Sequence, residues 1–259
     1  GRAQGGGRQR LVGVGGGTDG PMAVKMRRPR RAQDEWDITS VEQSDTPNYQ
    51  PGYLRLPFGT YRPTQLVKPT ARFIPKGVTL VTGEIDVVKP EENTVTLADG
   101  TSLSYDYLVS ATGTTPRPDQ TPGMDGAEWR RSVHEFYTYE GSKALAEKLR
   151  TWPGGRLVVH VTEMPIKCPV APLEFTFLAD AFFKKKGIRD KVEITYVTPL
   201  PGAFTKPVSA EALGGMLDAR GIARAPDFMI ERIDVETKAL APYDEREIGY
   251  GLLVTVPPH

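Results

Sequence analysis

Cysteine is almost absent from the 259-residue chain, in which Cys168 is the only one. A single thiol excludes a disulfide within these residues and a zinc site built from several cysteines. The chain also lacks any apolar run of about 18 residues, the length that a membrane-spanning helix needs. Its start, GRAQGGGRQR, lacks the apolar core of a signal peptide. We therefore expect no transmembrane segment and no signal peptide, and we expect residues 1–10 to be a disordered lead-in.

Acidic side chains are scarce near the start of the chain. Residues 1–31 carry eight basic side chains against Asp19 alone, although the whole chain has a net charge of only +1. A basic segment can bind nucleic acid or an anionic membrane surface, or it can be a solvated helix end and loop. Aromatic side chains, which stack on bases in nucleic-acid-binding proteins, do not interleave with this run. We therefore favour the solvated segment and expect no nucleic-acid partner.

Apolar runs alternate with helical patterns along the chain, which is typical of parallel sheets with right-handed crossovers. An antiparallel hairpin signal at Ala98-Asp99-Gly100 interrupts the first block of this pattern. The stretch 113–126 is rich in proline, threonine and glycine and marks a crossing between domains. The sequence predicts an α/β fold with two Rossmann-like dinucleotide-binding domains, over 11–115 and 116–259, the first interrupted by antiparallel hairpins.

Glycine is concentrated in the turn after the first predicted strand. Gly15, Gly16, Gly17 and Gly20 fit the pattern G-x-G-x-x-G between a strand and a predicted helix over 20–28. Such glycines make a tight turn and let backbone amides approach a pyrophosphate at the helix N-terminus. Glu42 ends the second predicted strand at the spacing expected of a carboxylate that binds a ribose hydroxyl. This pattern indicates an adenine dinucleotide, and a merely structural glycine turn is the alternative.

A second motif follows the hairpin, where the chain reads LADGTSLSYDYLVSATGTTPRP. This stretch resembles the segment of two-dinucleotide-domain flavoproteins in which a hairpin, a strand and an Ala-Thr-Gly turn return to the FAD. The resemblance implies that FAD binds the first domain, with contacts from Ala111, Thr112 and Gly113. It also implies that the backbone of Ile85 meets the adenine. An ordinary hairpin followed by a strand is the alternative.

The second block has no glycine loop after its first strand. The strand 156–161 runs directly into 162–169, which contains no glycine to admit a pyrophosphate. This absence argues against a nicotinamide dinucleotide. The motif found there, PIKCPVAPLE, and the following FTFLADAFFKKKGIRDKVEITYVTP resemble the cysteine loop of sulfide:quinone oxidoreductases. The resemblance extends over nearly all of 11–259.

The thiol of Cys168 lies after a strand and before a helix, next to Lys167. The helix N-terminus and the lysine both favour a thiolate. A thiolate can attack sulfur or the electrophilic flavin carbon, or it can carry a persulfide. The resemblance implies that Cys168 is the central redox cysteine and that Glu174 handles protons near the quinone. The alternative is that Cys168 is a small buried hydrophobe.

Three further candidates have weaker support. A histidine such as His134 can transfer protons near the flavin. The loop Tyr49-Gln50-Pro51-Gly52 resembles the one that passes near the flavin ring, and turn packing explains it equally well. Four aromatic residues of one predicted helix can line a quinone pocket, although such a face is more often core; they are Phe175, Phe177, Phe182 and Phe183.

Members of the family continue well beyond the equivalent of Pro258-His259. Their additional part carries a Gly-Asp flavin motif, a second redox cysteine and an amphipathic membrane tail, so the first domain is expected to be incomplete here. The resemblance implies an FAD-dependent oxidoreductase that uses sulfide and a quinone, without a metal. It also implies a peripheral membrane protein in full-length form, and we add a homo-oligomer as an expectation. The alternatives are a catalytically incomplete homologue that binds sulfur or a partner protein, and a type-II NADH:quinone dehydrogenase.

Overall fold

A computed structural model of the chain describes residues 8–15 and 36–259, which fall into two compact units. The helix expected over 20–28 lies outside the described residues. The two units take these parts of the chain: Gly1–Tyr49 with Thr64–Gly113, and Gln50–Pro63 with Thr114–His259. The segment Gln50–Pro63 thus belongs to the second unit, although the chain on both sides of it belongs to the first.

A parallel sheet forms the centre of the first unit. The strands of this unit are β1 (Gln9–Val14), β2 (Trp36–Glu42), β3 (Val78–Thr82), β4 (Ile85–Lys89), β5 (Thr94–Leu97), β6 (Ser102–Ser104) and β7 (Tyr107–Ser110). Four of them pair in parallel in the order β3-β2-β1-β7, and the other three form an antiparallel sheet in the order β4-β5-β6. The last four residues of β1 are all buried, as expected of a central parallel strand covered on both faces.

The stretch 78–88, in which apolar and polar residues alternate, divides into two strands that belong to different sheets. Strand β3 pairs in parallel with β2, whereas β4 pairs antiparallel with β5. The chain turns between them at Gly83, where an added Cβ would lie 3.0 Å from the Leu97 side chain. The polar and apolar alternation is the same in both strands, so it could not show where the chain changes sheets.

The second unit is built on a larger parallel sheet. Its strands are β8 (Val133–His134), β9 (Gly155–Val161), β10 (Val192–Val197), β11 (Ala223–Ala225), β12 (Ile230–Asp234), β13 (Ala239–Pro242), β14 (Ile248–Gly249) and β15 (Leu252–Val256). Five of them pair in parallel in the order β11-β10-β9-β15-β8. The remaining three form an antiparallel sheet in the order β12-β13-β14.

One short and three longer α-helices lie in the described part of the chain: α1 (Pro63–Leu66), α2 (Tyr139–Thr151), α3 (Ala171–Lys186) and α4 (Pro207–Asp218). Helix α3 has Pro172 in its first turn. The residue that follows its last turn, Gly187, has φ +72°, a conformation common where helices end. Of the helices in the described residues, none combines the length and apolar character that a membrane crossing requires.

The aromatic face of α3 is part of the core of the second unit. Phe175 and Phe183 are fully buried, and the ring of Phe175 stacks on Phe136 with centroids 4.9 Å apart. Phe58, from the segment that interrupts the first unit, packs its ring 5.0 Å from Phe175 and 5.8 Å from Phe182. These rings explain why the segment 50–63 joins the second unit, and they favour core packing over a quinone pocket.

A buried carboxylate stabilises the start of α2. Glu135 accepts hydrogen bonds from the backbone amides of Tyr137 and Thr138, and Thr138 caps the helix by accepting from the amide of Gly141. A Cβ on Gly141 would overlap the Glu135 carboxylate. Glycine is therefore required at this position for space rather than for its backbone angle.

Replacing Gly141 by alanine is expected to destabilise the protein by about 2 kcal/mol, because the added methyl group displaces a buried, hydrogen-bonded carboxylate. Gly215→Ala is the matched control, since Gly215 lies in α4 with nothing near its missing Cβ. There the substitution is expected to stabilise by about 0.5–1 kcal/mol through helix propensity. Urea unfolding measures both, and a stabilising Gly141→Ala would contradict the described geometry.

Candidate functional site

The strands of the first parallel sheet end at one edge, and backbone hydrogen bonds hold the residues that follow them in line. The amide of Gly15 donates to the Val41 carbonyl at 3.1 Å, and the amide of Ala111 donates to the Val14 carbonyl at 2.7 Å. The amide of Gly83 similarly donates to the Glu42 carbonyl at 2.8 Å. Parallel pairing therefore brings residues from four distant parts of the sequence to one edge of the first unit.

Gly15 and Ala111 approach each other backbone to backbone. Gly15 has φ +99°, and a Cβ there would overlap the Ala111 carbonyl and lie 2.6 Å from the Thr112 amide nitrogen. Backbone atoms cannot yield as a flexible side chain can, so the position requires glycine. Gly113, with φ +75°, follows directly. The structure thus brings together four of the predicted FAD contacts, while three others lie outside the described residues: Gly16, Gly17 and Gly20.

Glu42 ends β2 at the same edge and is only 2% exposed. Burial raises the pKa of its carboxyl group, and a hydrogen bond from the Ser40 hydroxyl at 3.2 Å opposes that shift. A buried acceptor at this place suits the hydroxyl groups of a ribose. Ile85 opens β4 and pairs with Leu97 in the hairpin. The close glycine approach and the buried carboxylate at the ends of β1 and β2 are therefore compatible with the adenosine half of FAD.

The cysteine loop lies in the second unit, between β9 and α3. Cys168 is exposed and free, and it has φ +56° in the left-handed region. It stands two residues before Val170, the N-cap of α3, and its carbonyl accepts a hydrogen bond from the Ala171 amide at 3.0 Å. The interpretation of Cys168 as a buried hydrophobe is therefore wrong, because the side chain is at the surface.

Lys167 connects the cysteine loop to the segment that contains Pro51. Its Nζ donates a hydrogen bond to Oε1 of Gln50, which opens a short 3-10 turn over Gln50–Gly52. Two loops that the sequence analysis treated separately are thus joined within the second unit. The two residues are 117 positions apart, and no local pattern predicts their contact.

Tyr137 also contacts the cysteine loop, although no motif in the sequence points to it. Its hydroxyl donates to the Cys168 carbonyl at 3.4 Å. The pKa of the Tyr137 phenol is raised, mainly because the ring is buried, so the hydroxyl keeps its proton at neutral pH. The sequence offers only a weak signal, an aromatic residue directly before a threonine that can cap a helix.

The two remaining predicted residues have different surroundings. Glu174 is exposed in the first turn of α3, and its amide donates to the Val170 carbonyl at 3.0 Å. His134 is buried on β8, with Nε2 3.2 Å from the Arg131 carbonyl oxygen. Burial lowers the pKa of His134 to about 4, so its ring is neutral at neutral pH. The proton-handling roles of both residues stay predictions.

Comparison with solved structures identifies the fold. The sulfide:quinone oxidoreductase of Aquifex aeolicus superposes with a TM-score of 0.81 at 21% identity, covering 96% of this chain and 58% of that one. A ferredoxin reductase of Rhodopseudomonas palustris gives a TM-score of 0.70 at 19% identity, with the same coverage of 96% and 58%. The fold is therefore that of the flavoprotein reductases, and the predicted α/β class with Rossmann-like domains is confirmed.

Sequence comparison is more specific. No family model matches the chain. The mitochondrial sulfide:quinone oxidoreductase of Dictyostelium discoideum is 30% identical over 253 residues, which cover 96% of this chain and 56% of that protein. The resemblance to sulfide:quinone oxidoreductases predicted from the sequence is thus confirmed. The chain spans about half the length of the curated relatives that it matches.

The left-handed conformation of Cys168 predicts an unusual order of stabilities. Cys168→Gly is expected to be more stable than Cys168→Ala by about 1 kcal/mol, because alanine is strained at positive φ. Ala181, exposed within α3, supplies the control, since Ala181→Gly should cost about 1 kcal/mol there. Equal stability of the two Cys168 variants in urea unfolding would rule out the positive φ.

Proposed function

We propose that the chain takes part in the FAD-dependent oxidation of sulfide at Cys168, with a quinone as the electron acceptor. The observation that carries this proposal is the exposed cysteine in a left-handed turn at the start of α3. The similarity to sulfide:quinone oxidoreductases supports the choice of sulfide and quinone as substrates.

In this proposal FAD binds at the strand ends of the first parallel sheet. The glycine approach at Gly15 and Ala111 leaves backbone room for a pyrophosphate, and Glu42 accepts hydrogen bonds from ribose hydroxyl groups. Thr112 and Gly113 follow at the same edge and are further contacts, with the backbone of Ile85 at the adenine. FAD, when bound, supplies a two-electron acceptor that a quinone can re-oxidise.

The net reaction that we propose is balanced in atoms and electrons. The Cys168 thiol, hydrogen sulfide and a quinone give a Cys168 persulfide and the hydroquinone. One S–S bond forms, the sulfide sulfur loses two electrons, and the quinone takes up two electrons and two protons. The persulfide passes its outer sulfur to a second, small-molecule thiol, which becomes a persulfide while the Cys168 thiol is restored. Because quinones are lipid-soluble, the reaction is proposed to take place at a membrane surface.

The connection from β9 to α3 favours sulfur chemistry over a type-II NADH dehydrogenase activity. A nicotinamide dinucleotide bound at this helix N-terminus would need glycines that let the backbone approach its pyrophosphate. The connection 162–170 contains none. It has Cys168 in an exposed turn instead.

Glu42→Gln is expected to weaken FAD binding about tenfold, because the amide is a weaker acceptor for the ribose hydroxyl groups than the carboxylate is. Flavin fluorescence titration measures the affinity. Glu91→Gln is the control, since Glu91 is an exposed acidic residue of the same unit in the turn at the other end of β4 from Ile85. Equal affinity for the Glu42 variant and the parent chain would contradict the assignment of this carboxylate.

The proposed reaction is tested by following the flavin absorbance of the FAD-loaded protein. Sulfide is expected to bleach the flavin, and a soluble quinone analogue to restore its colour. Cys168→Ser is expected to retain FAD and lower the rate of bleaching by at least about 100-fold, because the hydroxyl is a poor nucleophile. Bleaching by NADH but not by sulfide would favour the dehydrogenase, and a folded protein that takes up no FAD would overturn the proposal.

A further inference from the structure

The conformation of Cys168 needs support from its surroundings. A residue other than glycine in the left-handed region is strained by about 1–2 kcal/mol. The carbonyl of Cys168 accepts two hydrogen bonds, from the Ala171 amide at 3.0 Å and from the Tyr137 hydroxyl at 3.4 Å. The first comes from the helix that follows the cysteine, and the second from a side chain 31 residues earlier. The second bond therefore ties the loop to the rest of the unit.

Tyr137 is itself held in place. Its ring lies 5.0 Å from Phe136, and the edge of the His259 ring packs against it with centroids 5.0 Å apart and planes at 72°. The phenol is ionised only at very alkaline pH, because burial raises its pKa. The hydroxyl thus remains a donor throughout the pH range in which a thiol titrates.

The backbone of Tyr137 is fixed by Glu135. The buried carboxylate of Glu135 accepts from the amides of Tyr137 and Thr138 and from the Thr138 hydroxyl. Gly141 leaves the space that this carboxylate needs. A continuous set of contacts therefore leads from the start of α2, through Glu135 and Tyr137, to the cysteine loop.

We propose that Tyr137 is a positioning residue, fixed by Glu135, that holds Cys168 in the conformation in which its thiol reacts. This role rests on the proposed use of Cys168 as the redox cysteine. It also gives the buried Glu135 side chain a role beyond stabilising the start of α2. It also explains why the tyrosine donates to the backbone of the loop.

The test uses the reactivity of the chain's single cysteine with iodoacetamide between about pH 6 and about pH 10. Tyr137→Phe keeps the ring and removes only the donor. We expect alkylation to slow at least about threefold across this pH range, because the released loop no longer holds the exposed thiol in a single conformation.

Two further variants separate positioning from general destabilisation. Tyr139→Phe alters a tyrosine at the same helix start whose ring packs 6.2 Å from Tyr53, and it should leave the alkylation profile unchanged. Glu135→Ala, which removes both acceptor oxygens, should slow alkylation as Tyr137→Phe does. The double variant should be no slower than the slower single variant, because both act through the same hydrogen bond.

Parental alkylation rates for Tyr137→Phe at every pH would overturn the proposal, as would independent effects that multiply in the double variant. If the phenylalanine variant does not fold, parental rates for Glu135→Ala overturn it equally. The assay needs neither flavin, sulfide nor quinone. A failed positioning role is therefore distinguishable from a failed sulfide oxidation.

Discussion

Parallel strand pairing is the constraint on which both candidate sites depend, because it makes strands from distant parts of the sequence end side by side. In the first unit, backbone hydrogen bonds continue the pairing one residue past β1, β3 and β7. Gly15 and Ala111, nearly a hundred positions apart, then meet closely enough that no Cβ fits between them. The residues that meet at this edge are therefore brought together by strand pairing and do not form a local run in the sequence.

The second unit uses the same arrangement with a different connection. Its central strand β9 leads through 162–170 into α3, as a nucleotide-binding strand leads into its helix. Without glycine the backbone cannot approach a pyrophosphate, but the turn still presents a residue at the N-terminal end of a helix. Cys168 takes that place. Two units of similar architecture therefore differ in the composition of the connection that follows the central strand.

The sequence predicted what is encoded locally. The glycine turn at Gly15, the end of β2 at Glu42, the hairpin and the cysteine loop all lie in short stretches with their own patterns. It did not predict the contact of Lys167 with Gln50, because they are 117 positions apart, or that of Tyr137 with the cysteine loop. These contacts depend on which elements pack together. The segment Gln50–Pro63 likewise belongs to the second unit because Phe58 packs against Phe175, a contact that the periodicity of the sequence does not encode.

Backbone strain distinguishes the interpretations of Cys168. A cysteine kept only to fill space would be buried in an unstrained conformation, since burial is what a small apolar side chain contributes to stability. Cys168 is exposed and has φ +56°, where glycine would be more stable. Residues held in strained conformations persist when surrounding contacts determine them, and they concentrate at functional sites. The hydrogen bonds to its carbonyl from Ala171 and Tyr137 are such contacts, and together with the exposure of the side chain they favour the proposed role of the thiol over space filling.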